Sequence, residues 1–297
     1  GAQLDPTADY SNKIVVMDLP SQEKVPTSIL KQMGTYTYDP EDFLDDTHWF
    51  QGGVPANFPV CYYQAAEQGA AGFIGIFNDF LSGSAEIFPD PTFRVQTKIP
   101  GLFLGKYDGE KLVAKLQQQQ TVQATMILCG QDKIVPTSNI VAVLPGYKEA
   151  SILLNTHHDA GFSGAVQDGS GVVALLGIAK YFSKIPSNFR QKTLIFVFDS
   201  AHYAWNYPFG ANMFQKMNPE QLSKVTLSIG VEHIGVYAEE TENGFVPTDG
   251  PEPRFLFTPA NQYLQKITEE AIQKNNMIRT VIPAKGAVAF LGETQSY

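Results

Sequence analysis

Runs of apolar residues in the second half of the sequence alternate with segments of helical pattern. Residues 152–156 (ILLNT), 194–200 (LIFVFDS) and 225–231 (VTLSIGV) are short apolar runs of the kind that forms strands. The second and third are continuous enough to be covered on both faces of a sheet. Helical patterns occupy residues 171–182 and 259–276. This order predicts an α/β fold, with a mixed, largely parallel sheet flanked by helices.

The same pattern predicts how some of these elements pair and end. Residues 138–146 (SNIVAVLPG) precede residues 152–156 by a turn, so the two runs are expected to pair as a hairpin. The helix of residues 171–182 is apolar nearly all round, which predicts that it is buried. The last helix is expected to have Thr258 as its N-cap and Pro259 as its first residue.

Strand and helix patterns also alternate in the first part of the chain. Strands are predicted at residues 13–18, 73–78 and 121–128, and helices at 58–72 and 106–116. The pattern predicts a smaller α/β module that ends near Pro136. The chain is therefore expected to divide into residues 1–137 and residues 138–297.

Composition and charge restrict the class of protein. Of 297 residues, 43% are hydrophobic and 17% are charged, which is typical of a globular protein. A net charge of −9 argues against binding nucleic acid through a basic surface. No apolar run approaches the ~20 residues of a membrane-spanning helix. The two cysteines, Cys61 and Cys129, are predicted to be buried free thiols in preference to a disulfide.

Polar residues that can bind a metal ion follow three of the predicted strands. His157 and Asp159 follow the first strand, His202 the second and Glu232 the third, and Asp168 precedes a predicted helix. The carboxyl ends of parallel strands meet at one edge of a sheet, where ligand sites form. Because imidazole and carboxylate are natural zinc ligands, the pattern predicts a metal-competent site at this edge.

Each of these residues also has a purely structural interpretation. A histidine at a strand end can be a surface residue or a hydrogen-bonded one. Asp168 can cap the helix that follows it, and Asp159 can be a turn residue. His158 and His233 neighbour better candidates and cannot share their side-chain direction on a strand, so they are assigned no role.

In order and spacing, these segments resemble the zinc aminopeptidase superfamily, which includes bacterial and fungal aminopeptidases, glutamate carboxypeptidase and the transferrin receptor. The resemblance rests on residues 138–160 (SNIVAVLPGYKEASILLNTHHDA), 164–183 (GAVQDGSGVVALLGIAKYFS), 192–205 (KTLIFVFDSAHYAW) and 227–235 (LSIGVEHIG). The first part of the chain resembles the protease-associated domain at residues 8–18 (ADYSNKIVVMD), 65–79 (AAEQGAAGFIGIFND) and 99–112 (IPGLFLGKYDGEKL).

The resemblance implies roles for residues that match the family motifs. His157 matches the first metal ligand, and Asp159 matches the aspartate that orients this histidine from behind. Glu232 takes the place of an acidic ligand with a longer side chain. His202 replaces a second acidic ligand and is still able to bind a metal.

Other positions depart from the family. Gln167 stands where an aspartate bridges two zinc ions, and a neutral amide is a poor bridge between two dications. Asp168 follows one residue later. Ala201 replaces the general-base glutamate and cannot accept a proton. The final histidine ligand has no counterpart in residues 292–297 (GETQSY).

These departures predict a degraded two-metal site that holds one zinc ion or none, with His157, Asp168, His202 and Glu232 as the metal ligands. The predicted function is that of a non-catalytic or weakly active relative of zinc aminopeptidases, with a peptide or protein ligand. One alternative is an active metal-dependent aminopeptidase or carboxypeptidase with a rearranged site. Another is a different hydrolase or transferase that uses one metal and a new base.

The resemblance also raises expectations about the setting of the protein. The protease-associated domain is commonly extracytoplasmic in relatives, which favours a secreted, periplasmic or cell-surface location. Members of the superfamily often dimerise, so a homodimer is one expected state. The second part of the chain is short for the family, so its core is expected to be incomplete at the C-terminus.

Overall fold

The computed structural model of the chain describes residues 4–20, 25–50, 58–78, 98–119, 121–131, 133–161, 163–203, 208–288 and 292–297. Its strands are β1 (Ile14–Asp18), β2 (Val25–Pro26), β3 (Gly34–Tyr38), β4 (Trp49–Phe50), β5 (Gly72–Phe77), β6 (Gly101–Gly105), β7 (Ile140–Leu144), β8 (Ser151–His157), β9 (Thr193–Asp199), β10 (Val225–Gly230), β11 (Val236–Thr241), β12 (Gly244–Pro251), β13 (Arg254–Phe255) and β14 (Thr280–Pro283). Its helices are α1 (Ser28–Met33), α2 (Val60–Glu67), α3 (Lys106–Gln118), α4 (Gly169–Ser183), α5 (Phe209–Met217), α6 (Pro219–Leu222) and α7 (Gln262–Lys274), with 3₁₀ turns at Ser187–Phe189 and Glu293–Ser296.

The largest described sheet has the strand order β10-β8-β9-β7. Strands β10, β8 and β9 run parallel, and β7 runs antiparallel to β9. This confirms the predicted mixed, largely parallel sheet. The predicted hairpin between β7 and β8 is wrong, because parallel strands occupy both edges of β8 and leave β7 only the free edge of β9.

Helix α4 packs on this sheet with one face. Leu175 is fully buried in a core that also contains Leu154 and Phe196. The prediction that the helix is buried all round is wrong, because 70% of Val173 and 55% of Leu176 are exposed. The described residues therefore cover only the inner face of this apolar helix.

Two further predictions about the second part of the chain are wrong. Strand β10 is not covered on both faces, because it lies at the edge of the sheet and its residues are half-buried or exposed. Helix α7 does not start at Pro259. Asn261 is its N-cap, and the Asn261 side chain accepts hydrogen bonds from the backbone N–H groups of Tyr263 and Leu264.

The first part of the chain contains a parallel sheet in the order β1-β5-β6. Val15, Cys61 and Phe73 belong to its core, and the predicted strands and helices up to residue 116 are present within one to five residues. The predicted strand at residues 121–128 is wrong, since this segment has no regular structure and is largely exposed. Both cysteines are free, as predicted, but Cys129 is exposed.

A third sheet joins the two parts of the chain. Strand β3 pairs antiparallel with β14, and β14 pairs parallel with β13. Leu30, Leu44 and Val281 form a core beside this sheet. The division after residue 137 stays a prediction, but the sequence pattern did not reveal that residues 34–38 cross it to pair with residues near the C-terminus.

Among the described residues, no helix has both the length and the apolar character that spanning a membrane requires.

Candidate functional site

The candidate site lies at the carboxyl edge of the β10-β8-β9 sheet. His157 ends β8, where it is in register with Asp199 at the end of β9, and both residues are fully buried. The predicted convergence of polar residues on this edge is present, because parallel strands bring their carboxyl ends together whatever their separation in the sequence.

His157 is held by the residue that the resemblance assigns to orient it. Its Nδ1 donates to the carbonyl oxygen of Asp159 at 2.8 Å and lies 3.6 Å from the Asp159 carboxylate. Its Nε2 is buried and has no hydrogen-bond partner in the described part of the chain. Burial lowers the pKa of His157, but the hydrogen bond to Asp159 and the negative charges of Glu293 and Asp168 outweigh it and raise the pKa to about 9.

His202 is buried beside His157 and follows Ala201, which has a left-handed φ of 58°. The His202 Nδ1 bonds the carboxylate of Glu293, and its backbone N–H donates to Asp159 at 3.2 Å. Asp159 therefore holds both histidines, one through its carbonyl and one through its carboxylate.

Asp168 occupies the N-cap position of α4, but its side chain forms no capping hydrogen bond. Its carboxylate instead accepts from the Thr156 hydroxyl and, at 3.1 Å, from the backbone N–H of His233. The structure thus directs the buried Asp168 towards the strand ends. Gln167, which the resemblance places at the position of a bridging ligand, is half-exposed.

Glu232 and Glu293 form a pair of acidic side chains. The backbone N–H of Glu293 donates to Glu232 at 3.3 Å. Burial and the charge of Glu293 raise the pKa of Glu232 to about 8. Burial also raises the pKa of Glu293, but its bond to His202 outweighs this and lowers it. The two carboxyl groups therefore oppose each other's ionisation, and Glu293 is the one whose charge is stabilised by His202.

The 3₁₀ turn Glu293–Ser296 attaches the end of the chain to this edge. Thr294 donates to the side chain of Asn155 at 2.9 Å, and the hydroxyl of Tyr297 donates to Asp199 at 2.7 Å. Asn155 in turn donates to Asp199 at 3.3 Å. These bonds place Glu293 inside the site.

The structure brings all four predicted metal ligands to one edge but gives three of them protein partners. Within the described ranges, no three histidine, cysteine, aspartate or glutamate side chains are arranged to hold a metal ion. His157 nevertheless fits the role of a ligand, because its buried Nε2 has no protein partner among the described residues and can bind a metal ion once the ring is neutral. The complete set of His157, Asp168, His202 and Glu232 stays a prediction.

Sequence reasoning missed Glu293 and Asp199. Glu293 lies 91 positions after His202 and 61 after Glu232, and it stands in no motif of the resemblance. Its one signal is that residues 292–297 fall near the expected final ligand and contain a single carboxylate. Asp199 is the only charged residue of the second apolar run (residues 194–200), and this isolated carboxylate was a signal in the sequence.

Part of the chain matches a known protein family. Residues 139–280 match peptidase family M28. This segment contains His157, Asp168, His202 and Glu232 and ends before Glu293. The match confirms the resemblance of the second part of the chain to zinc aminopeptidases, whereas the protease-associated domain stays a prediction. No curated protein sequence matches the chain.

Three solved structures are similar to this one. The peptidase M28 precursor from Shewanella amazonensis SB2B has a TM-score of 0.55 at 17% identity, covering 98% of this chain and 59% of that chain. BSAP, a zinc aminopeptidase from Bacillus subtilis, has a TM-score of 0.45 at 17% identity, covering 79% and 54%. The aminopeptidase from Aneurinibacillus sp. strain AM-1 has a TM-score of 0.38 at 20% identity, covering 76% and 53%.

The likeness to the Shewanella protein shows a shared fold. This chain spans 59% of that protein and 53–54% of the two aminopeptidases. Activity, substrate and partners of this chain are therefore matters for proposal.

Proposed function

We propose that this chain, which matches peptidase family M28 over residues 139–280, is a peptidase-fold protein with a degraded two-metal site. It binds a peptide or protein ligand and hydrolyses peptides weakly or not at all. The single observation that carries the proposal is Ala201. It stands where the resemblance places the general base, and a methyl group cannot accept a proton from water.

The metal chemistry of such a site would depend on His157. Zinc, when bound, would polarise a peptide carbonyl and acidify a water molecule. His157 would hold the ion through Nε2, and Asp159 orients the ring through Nδ1. Asp168, His202 and Glu232 are the further predicted ligands.

The contacts of these further ligands favour one ion or none. The carboxylate of Asp168 already accepts two hydrogen bonds, and Nδ1 of His202 bonds Glu293. Burial and Glu293 raise the pKa of Glu232 to about 8, so this group must lose its proton before it can bind a metal ion. A protonated carboxyl group carries no charge to offset a second dication.

Glu293 favours a second candidate function, an active metallopeptidase with a rearranged site. It brings a buried anionic carboxylate next to His202 and Glu232. A carboxylate in that position can receive a proton in place of the missing family glutamate.

Metal content and turnover, measured together, separate the two functions. The purified chain is analysed for bound zinc and then assayed on a panel of amino-acid p-nitroanilides with added zinc or cobalt. The first proposal expects at most one ion per chain and weak or no hydrolysis. Strong hydrolysis that is lost in Glu293→Gln and kept in Glu270→Gln would establish the second candidate. Two bound ions per chain would contradict the degraded site.

A further inference from the structure

The carboxylate of Glu293 lies in hydrogen-bond contact with one particular nitrogen of the His202 ring. The contact is made by Nδ1, and the exposed fraction is only 6% for the His202 side chain and 2% for that of Glu293. A hydrogen bond to a carboxylate is about twice as strong as one between neutral groups, and burial strengthens it further. The pair is therefore a fixed feature of the site and not a surface contact.

The short segment that carries Glu293 is itself fastened to the core. Side-chain hydrogen bonds join Thr294 to Asn155 of β8, Tyr297 to Asp199 of β9, and Ser296 to Asn212 of α5. The backbone N–H of Glu293 also donates to Glu232. These bonds limit the positions that the Glu293 carboxylate can take, so it is presented to His202 in a defined place.

His202 is constrained by three neighbours, and they constrain different things. Its backbone N–H donates to the carboxylate of Asp159 at 3.2 Å, which fixes the position of the main chain. Its ring lies nearly parallel to that of His157, which fixes the plane of the imidazole. Among the described contacts printed for this ring, the bond to Glu293 is the one that distinguishes Nδ1 from Nε2.

The chemistry of the acceptor decides which nitrogen carries the proton. An ionised carboxylate accepts hydrogen bonds and cannot donate them, so the Nδ1 that faces it must be the protonated nitrogen. In a neutral ring the lone pair is then on Nε2, and a metal ion binds imidazole through the nitrogen with the lone pair. His157 has the same arrangement, with its Nδ1 on the carbonyl oxygen of Asp159.

His158 shows that this arrangement is not common to every histidine of the chain. Its Nε2, and not its Nδ1, contacts a carbonyl oxygen, that of Ser138 at 3.0 Å. Because a carbonyl oxygen only accepts, His158 is expected to carry its proton on Nε2. The two stacked histidines of the site therefore share one tautomer, and the exposed neighbour has the other.

We propose that Glu293 is a positioning residue for His202, which keeps the ring proton on Nδ1 and thereby leaves Nε2 as the nitrogen that binds a metal ion. The inference rests on the proposed function only in identifying that ion as zinc. The assignment of the proton stands on the contact between the two side chains.

Nitrogen NMR of the metal-free chain tests the position of the proton directly. The full chain is isotope-labelled in its histidine rings, freed of metal with a chelator and examined at a pH at which the His202 ring is neutral. The signals of His202 are assigned by their absence from His202→Gln. We expect the proton on Nδ1 in His202 and on Nε2 in His158, which serves as the internal comparison. A proton on Nε2 of His202 in the wild type would overturn the proposal.

Variants of Glu293 assign this tautomer to its carboxylate. In Glu293→Ala the proton is expected to move to Nε2, the ordinary tautomer of imidazole in water. In Glu293→Gln the amide oxygen still accepts, so the proton should stay on Nδ1, with its resonance moved upfield because a neutral acceptor forms a weaker bond. Glu270→Gln, at an exposed carboxylate of α7, should change neither signal.

Unchanged His202 signals in Glu293→Ala would overturn the proposal. If Glu293→Ala does not fold, as judged by circular dichroism, the Nδ1 proton resonance of Glu293→Gln decides, and an unchanged resonance there would be equally fatal.

Zinc affinity, measured by calorimetry, tests the metal role of His202 separately. Loss of the partner that orients a ligand typically weakens metal binding about tenfold to a hundredfold, so Glu293→Ala should raise the Kd for zinc by this factor and Glu270→Ala should not. Equal zinc affinities in the wild type and Glu293→Ala would exclude a metal role for the pair. A wild-type chain with the proton on Nδ1 but no affinity for zinc would support the positioning by Glu293 and contradict the zinc site of the proposed function.

Discussion

His157 and His202 stack on each other in the candidate site, with ring centroids 3.9 Å apart and planes inclined by 13°. Each ring is anchored through Nδ1 by a different partner, His157 by Asp159 and His202 by Glu293. The stack and these anchors together fix the direction of the unpaired Nε2 of His157. A nitrogen held in a fixed direction is what a metal ligand requires, so the stack favours a role for His157 in metal binding.

Removing the His157 imidazole should abolish metal binding. His157→Ala deletes the buried Nε2, which has no protein partner among the described residues. Elemental analysis after dialysis against zinc is expected to find no stoichiometric metal in this variant. His158→Ala is the matched control, because the side chain of this exposed neighbour bonds the carbonyl oxygen of Ser138 in the described contacts and not a residue of the site. If the wild type binds zinc, stoichiometric zinc retained in His157→Ala would show that this ligand assignment is wrong.

Removing the Glu293 side chain should destabilise the fold. Glu293→Ala takes away a buried carboxylate that pairs with the buried His202, and breaking such a pair costs about 3–5 kcal/mol. The free energy of unfolding, measured with urea, is expected to fall by this amount. Glu270→Ala removes a carboxylate from the exposed pair with Lys266 and should cost less than about 1 kcal/mol. Similar losses in the two variants would contradict the buried pairing.

Asp199 should make stability decrease as pH rises. Burial raises its pKa to about 6 from an ordinary 3.8, although hydrogen bonds from Tyr297 and Asn155 oppose the shift. Because the folded pKa lies above the unfolded one, the contribution of Asp199 is fully present below about pH 4 and is lost as pH rises through 6. The loss is about 3 kcal/mol at most.

Asp199→Asn tests this pH dependence, since an amide does not ionise. The unfolding free energies of the metal-free wild type and the variant are compared between pH 4 and pH 8. The wild type is expected to lose stability relative to the variant across this window, on top of a constant offset from altered hydrogen bonds. Parallel curves would mean that Asp199 does not titrate in this range.

Two neighbouring leucines of α4 should differ sharply in their importance. Leu175 is fully buried against the sheet, so Leu175→Ala is expected to cost about 2–5 kcal/mol of unfolding free energy. Leu176 is 55% exposed, and Leu176→Ala should stay within about 1 kcal/mol of the wild type. Thermal or urea unfolding measures both. A large loss in Leu176→Ala would indicate that something covers the outer face of this helix.

Much of the central architecture was predictable because it depends on local patterns. The apolar runs of β8 and β9 identified buried strands, and strand ends identified His157, His202 and Glu232 as neighbours at one edge. Helix α4 was located correctly, but its exposed face was not, because periodicity reports which residues are apolar and not which are covered. The N-cap of α7 is Asn261 and not the predicted Thr258. Both side chains can cap a helix, so residue type alone did not decide between them.

The amino-acid sequence by itself determined the α/β class, the parallel strands and the alanine at position 201, where the resemblance places a general base, because each depends on residue type and short-range spacing. Tertiary structure alone decided that β3 pairs with β14, that Asp168 bonds Thr156 instead of capping α4, and that Glu293 completes the site. These features depend on contacts between residues far apart in the chain. Such contacts form through the closure of long loops and the directions of buried side chains, neither of which leaves a periodic signal in the sequence.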